Sequence, residues 1–157
     1  TYDLISEQTL DTAVNSVTIS SIPNTYKDLV LEISCTSTGW AYVRFNGDTA
    51  TNYSNTTLRG SGTTITSVFG SNATSFGPNV DFGLAGAGAV KIIVQSYANT
   101  SMYKTALSMA GVATSMTGVS VSLWRSTSAV TSISLYPDGY TGYNFAIGST
   151  FRLWGIV

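Results

Sequence analysis

The residues that could do chemistry are few. Eight carboxylates are present: Asp3, Glu7, Asp11, Asp28, Glu32, Asp48, Asp81 and Asp138. A glycoside hydrolase needs two such groups facing each other across a cleft, roughly 5–9 Å apart. No pair here stands in a recognisable setting, so no catalytic residue and no enzyme activity are expected. There is no histidine, which removes histidine-based triads, most zinc sites and pH switching near neutrality. The one cysteine, Cys35, sits on the apolar side of an alternating segment and reads as a small buried hydrophobe. No metal and no cofactor are expected. Asn46-Gly47-Asp48 places side-chain oxygens in a loop, as a calcium ion or a sugar would require. The same three residues suit a hairpin turn, which is the preferred reading.

Aromatic residues offer a different chemistry. Trp40, Tyr53, Tyr136, Tyr140, Tyr143 and Phe145 lie in or beside expected loops. Exposed rings stack on sugar faces or anchor protein interfaces, so these six form the candidate interaction surface, with Asn46 and Asp48 as candidate loop contacts. The segment from Tyr136 to Phe145, YPDGYTGYNF, is its best-defined part. The competing reading is that these rings cap the open ends of the fold. Trp124 and Trp154 fall inside alternating segments and read as core or sheet-face residues.

The elements that must position these groups are strands. Charged residues make up only 10% of the 157 residues, against an ordinary quarter or so. Polarity comes instead from 45 serines and threonines. Hydroxyl and β-branched residues suit a pleated, half-buried surface better than a helix. The stretch Lys27 to Asn55 shows this most clearly: Leu29, Leu31, Ile33 and Cys35 point one way, then Ala41, Val43 and Phe45 form a second apolar row. It predicts a central antiparallel pair. Further strands are expected at Tyr2 to Gln8, Ser16 to Ser21, Thr56 to Gly62, Thr63 to Phe69, Val80 to Leu84, Ala89 to Tyr97, Met102 to Val112 and Ser149 to Val157. A helix is the alternative for Met102 to Val112. Val119 to Arg125 and Val130 to Tyr136 predict a hairpin, with Val119, Val121 and Leu123 lying over Ile133 and Leu135. Gly70 to Asn79 reads as a loop and Ala85 to Gly88 as a flexible joint.

Ten or more short strands with turn signals between them predict one all-β domain over residues 1–157. Its form is a single-domain antiparallel β-sandwich of jelly-roll-like type. Net charge is −1, and the seven cations are spread singly, which argues against nucleic acid as a partner. No apolar run approaches a membrane span. So few charges leave little repulsion between copies, a mild argument for self-association.

Several pieces taken together resemble a known group: YDLISEQTL, SSIPNTYKDLVLEIS, YVRFNGDTATNYS, MYKTALSMAG, VSLWRSTSAVTSISLYP and NFAIGSTFRLWGI. The combination is similar to a β-sandwich domain of virion structural proteins in tailed bacteriophages, including cyanophages. There it serves as a capsid decoration (cement) protein or as a module of tail fibres and appendages. The resemblance covers nearly the whole chain in order and carries no catalytic motif. It implies a homotrimer bound to the phage major capsid protein on the outside of the head. A chain of one such domain, with no fibre repeat, fits a stand-alone decoration protein better than a fibre module. The alternative is a glycan- or receptor-binding head on a tail appendage.

Overall fold

The computed structural model describes residues 1–37, 41–77, 86–112, 116–137 and 142–157. Its described residues form eleven strands: β1 (Tyr2–Thr9), β2 (Val17–Ile19), β3 (Asp28–Ser37), β4 (Ala41–Phe45), β5 (Tyr53–Ser61), β6 (Thr64–Ala73), β7 (Gly86–Gln95), β8 (Lys104–Val112), β9 (Met116–Trp124), β10 (Ile133–Pro137) and β11 (Thr150–Ile156). They build an eight-stranded sheet, in the order β1-β11-β3-β7-β8-β9-β5-β6, and a three-stranded sheet, β2-β10-β4. Every pairing is antiparallel. This is the all-β sandwich expected, divided unequally between its sheets. The chain changes sheet at each step from β1 to β5, and again on either side of β10.

The core lies between the sheets. The large sheet contributes Leu29, Leu31 and Ile33 of β3, Ile92 and Val94 of β7, and Phe151 and Leu153 of β11. The small sheet answers with Val17, Ile19, Val43, Phe45, Ile133 and Leu135. Phe76 extends the small sheet by a bridge to Val43, with backbone bonds of 2.8 and 3.1 Å. Its ring meets Phe45 edge-on at 5.0 Å.

Three expectations about neighbours are corrected. The apolar rows of β3 and β4 do face one core, but from opposite sides: β3 pairs with β11 and β7, and β4 pairs with β10. They are not a central antiparallel pair. Likewise β9 and β10 are not a hairpin, because β9 lies between β8 and β5 and β10 belongs to the other sheet. Alternation fixes which side chains share a face; it does not say which strand lies alongside. Gly86 to Gly88 is no joint, since these residues start β7, where Gly88 pairs with Cys35 on one side and Val112 on the other. The expected strand at Val80 to Leu84 lies outside the described residues.

Two alternatives are settled. Lys104–Val112 is a strand with neighbours on both sides, not a helix. Asn46-Gly47 is a two-residue turn with φ of 53° and 65°, closed by a 3.0 Å bond from the Asp48 amide to the Phe45 carbonyl. That is a type I′ turn, for which Asn-Gly is the favoured pair. It turns β4 out of the small sheet instead of folding it back on a partner.

Candidate interaction surface

The candidate loop contacts are internal ties. The Asn46 amide nitrogen donates to the Ala129 carbonyl (2.7 Å). Its oxygen accepts from the Thr131 and Ser132 amides (2.8 and 3.1 Å) and from the Thr131 hydroxyl (3.2 Å). This fastens the segment before β10. Asp48 accepts from the indole of Trp124 (2.7 Å), the Asn52 amide group (2.9 Å) and the Ala50 backbone (2.9 Å). Burial alone would raise its carboxyl, but those three bonds and the nearby Arg44 outweigh it and hold the group below its ordinary value.

Two of the six candidate aromatics are buried, so they cannot form a surface. Tyr53 is fully enclosed beside Phe76 and Trp124, at ring separations of 6.0 and 6.3 Å. Its hydroxyl accepts from the Phe45 amide (3.1 Å). That bond lets a polar ring sit in the core. Phe145 is also fully buried, edge-on to Phe151 at 5.1 Å, and its backbone bridges Val14 and Ser37. Trp40 and Tyr140 lie outside the described residues. Tyr136 and Tyr143 are half-buried. Tyr136 stacks on Tyr42, its partner across β10 and β4, at 5.9 Å, and Arg44 lies over its ring at 4.4 Å. These three residues make a small aromatic and cationic platform on the outer face of the small sheet. Tyr42 was not among the sequence candidates; its parity, opposite to Ala41 and Val43, was the available signal, and its pairing with Tyr136 was not.

The carboxylates of the described residues do not gather. Glu7 pairs with Arg152 (2.8 Å), and Glu32 pairs with Lys91 (3.2 Å) while accepting from the Trp154 indole (3.1 Å). Asp28 accepts from the Ser96 amide (2.7 Å). Asp81 and Asp138 lie outside the described residues. Among the described residues no three His, Cys, Asp or Glu side chains come together as a metal site. Burial pushes the Cys35 thiol up to about 12.

The largest exposed feature is the outer face of the eight-stranded sheet, and it has two halves. One register line crosses all eight strands: Leu4, Trp154, Val30, Ile93, Leu107, Val121, Thr56 and Phe69. The next line begins Glu7, Arg152, Glu32, Lys91, with charges alternating in sign over β1, β11, β3 and β7, and continues Met109, Val119, Leu58, Ser67 over the other four strands. The half formed by β8, β9, β5 and β6 therefore places no charged residue on this face. It exposes Leu107 (37%), Val121 (52%), Leu58 (53%), Phe69 (69%) and Ile65 (82%). A groove of about 650 Å³ runs along the seam, with Glu32, Lys91 and Arg152 on one side and Leu58, Met109 and Val119 on the other.

The opposite side of β8, β9 and β5 is mixed: Tyr53, Ala106, Val112 and Trp124 join the core, and between them lie buried hydroxyls. Thr57, Ser108, Ser120 and Ser122 point into the interior. Thr57 donates to the Ser120 hydroxyl (2.9 Å), while the Ser108 and Ser122 hydroxyls are buried without a hydrogen-bond partner. The sequence reading turned Val119 and Val121 inward over Ile133 and Leu135; the structure turns them outward and the serines inward. A one-residue change of parity exchanges the two faces of a strand. In β9 the Val-Ser alternation names the two rows without saying which one is inside.

No protein-family model matches the chain, and no curated protein matches it.

Proposed function

We propose that this protein is a non-catalytic structural subunit of a phage particle: a decoration protein that self-associates, as a trimer on the resemblance, and binds the outside of the major capsid lattice. The observation that carries this reading is the outward apolar half of the large sheet. Monomeric proteins rarely expose contiguous apolar patches beyond a few hundred Å², and larger ones mark interaction sites. A sandwich so poor in charge, with Glu7, Asp28, Glu32 and Asp48 engaged in internal ties, is suited to holding other surfaces together. In this reading added contact area links neighbouring lattice subunits and stiffens the shell. The resemblance of the quoted segments supplies the phage assignment; the surface supplies the adhesive role. Imaging particles of the phage that encodes the chain tests it. Copies are expected in a regular array on the head. Their absence from the particle, or confinement to the tail, overturns the reading.

The Tyr42–Tyr136 stack under Arg44 favours a second reading, a glycan- or receptor-binding appendage head. Stacked rings with a guanidinium beside them are the chemistry that sugar faces accept. Here Tyr136→Ala would abolish binding on a glycan array without lowering the melting temperature by more than about 3 °C, as expected for a half-exposed surface substitution. A native protein that retains no glycan counts against this reading.

A further inference from the structure

We infer that the neutral half-face of β8, β9, β5 and β6 is the self-association surface, covered by a second copy of this chain. The inference rests on the proposed adhesive role and adds which surface serves it and what occupies it.

The partly inverted pattern in the middle of β8 and β9 is the first ground, although Ala106, Val112 and Trp124 of the same strands join the core. A sheet with one wet face ordinarily turns its apolar row inward. In β8 and β9 the row Leu107, Met109, Val119 and Val121 faces out, while Ser108, Ser120 and Ser122 face in. Two of those serine hydroxyls are buried without a protein partner, so the inner face of these strands contributes less than an apolar row in the same place. Burial of the outward row in an assembly offsets that shortfall.

The choice of occupant follows from charge and area. The half-face carries no ionised side chain, whereas the adjoining half carries the Glu7–Arg152 and Glu32–Lys91 pairs. A partner placed on the neutral half desolvates no charge if its own contacting surface is also neutral, and an identical half-face meets that condition. The exposed parts of its apolar side chains amount to roughly 600 Å² per chain. In a two-fold pair two such patches bury at most about 1,200 Å² together, the lower bound of a stable standard-size interface, and around the three-fold axis of the proposed trimer each copy contributes the same patch, shared between its two neighbours.

The edges of the sheet point the same way. β1, at one edge, is guarded by Asp3 and Glu7 and by a register shift between Leu4 and Ser6, devices that discourage edge pairing. β6, at the other edge, is TITSVFGSNA, with no charge and no proline along its ten residues; its one guarding device is a register shift at its end, where Tyr53 pairs with Ala73 and Asn55 with Gly70. Natural edge strands left so bare are covered in the assembled state. Around a symmetry axis β6 lies on the rim of the same half-face, so one contact protects both.

Sedimentation velocity at 5–200 µM, as an order-of-magnitude range for weak to moderate association, tests this on the intact chain. The native protein is expected to sediment as an oligomer. Val121→Lys places a charge in the middle of the patch and is expected to raise the dissociation constant about 100-fold or more, giving monomers with an unchanged circular dichroism spectrum. Phe69→Ser, on the exposed edge strand, serves as a second variant should Val121→Lys fold poorly, and is expected to weaken association in the same direction. Glu7→Gln, on the charged half, is expected to leave the mass unchanged. A monomeric native protein overturns the inference. So do oligomers that survive both patch substitutions, or an equal loss with Glu7→Gln. Oligomers of the expected behaviour that never appear on a phage head would leave this surface standing and remove the decoration role instead.

Discussion

Replacing Asp48 with alanine removes one acceptor from three donors at once. The Ala50 amide is exposed, and water can take over its bond. The Trp124 indole is served less readily, because the ring is buried edge-on to Phe45 at 5.6 Å and against Tyr53, and its N–H bond to Asp48 is part-buried. A buried donor left without a partner costs about 1–3 kcal/mol, and the lost bond was charge-assisted. Asp48→Ala should therefore destabilise the fold by about 2–4 kcal/mol, measured by guanidinium unfolding followed by far-ultraviolet circular dichroism. Trp124→Phe removes the donor itself, so the two substitutions should be non-additive by about 1–2 kcal/mol in a double-mutant cycle. The carboxyl also predicts a pH dependence. Its folded value is depressed, so the stabilisation is present above the unfolded value of about 4 and is lost as pH falls through the folded value. Native protein should lose stability below about pH 4 that Asp48→Asn does not lose. An Asp48→Ala variant within about 0.5 kcal/mol of native, or strict additivity with Trp124→Phe, would refute the assignment of Asp48 as the tie between the β4–β5 turn and β9.

Two further predictions concern the core. A methyl group on Gly155 would come within 2.3 Å of the Tyr26 ring, so Gly155→Ala should destabilise by about 1–3 kcal/mol and lower the melting temperature by about 2–4 °C for each of these. Adding Tyr26→Ala should remove the clash and leave only the cost of the lost ring. Cys35, with its thiol pushed up to about 12 by burial, should react with a thiol reagent only as fast as the protein unfolds; rapid labelling in native buffer would contradict its place in the core.

Strand identity was largely legible in the sequence because it is written locally. The alternation of Leu29, Leu31 and Ile33, and of Phe151 and Leu153, names their shared face without reference to anything distant. Asn46-Gly47 was legible for the same reason, since positive φ at two successive positions is a local demand. What Asn46 and Asp48 do was not legible, because their partners, Thr131 and Trp124, lie 85 and 76 residues away. Tyr53 read as a surface ring because it stands beside an expected turn, yet it lies in the core, where a backbone amide of β4 supplies the bond its hydroxyl needs. The outward turn of Val119 and Val121 was beyond reach for a different reason. Which of two alternating rows is buried depends on what covers the sheet, and for this half the cover is a second molecule of the same chain in the proposed reading.

The position of β11 has a consequence for how the molecule is made. It lies between β1 and β3, and the ion pair joining Glu7 to Arg152 closes a separation of 145 residues. During synthesis β1 has no partner in its sheet, and β3 lacks one of its two, until β11 has left the ribosome. Such distant pairings must meet the loop-closure cost before any contact rewards it, which makes folding slow. Until β11 is made the larger layer therefore ends at β3 with β1 unattached, and that is the interval in which the nascent chain is most exposed to aggregation.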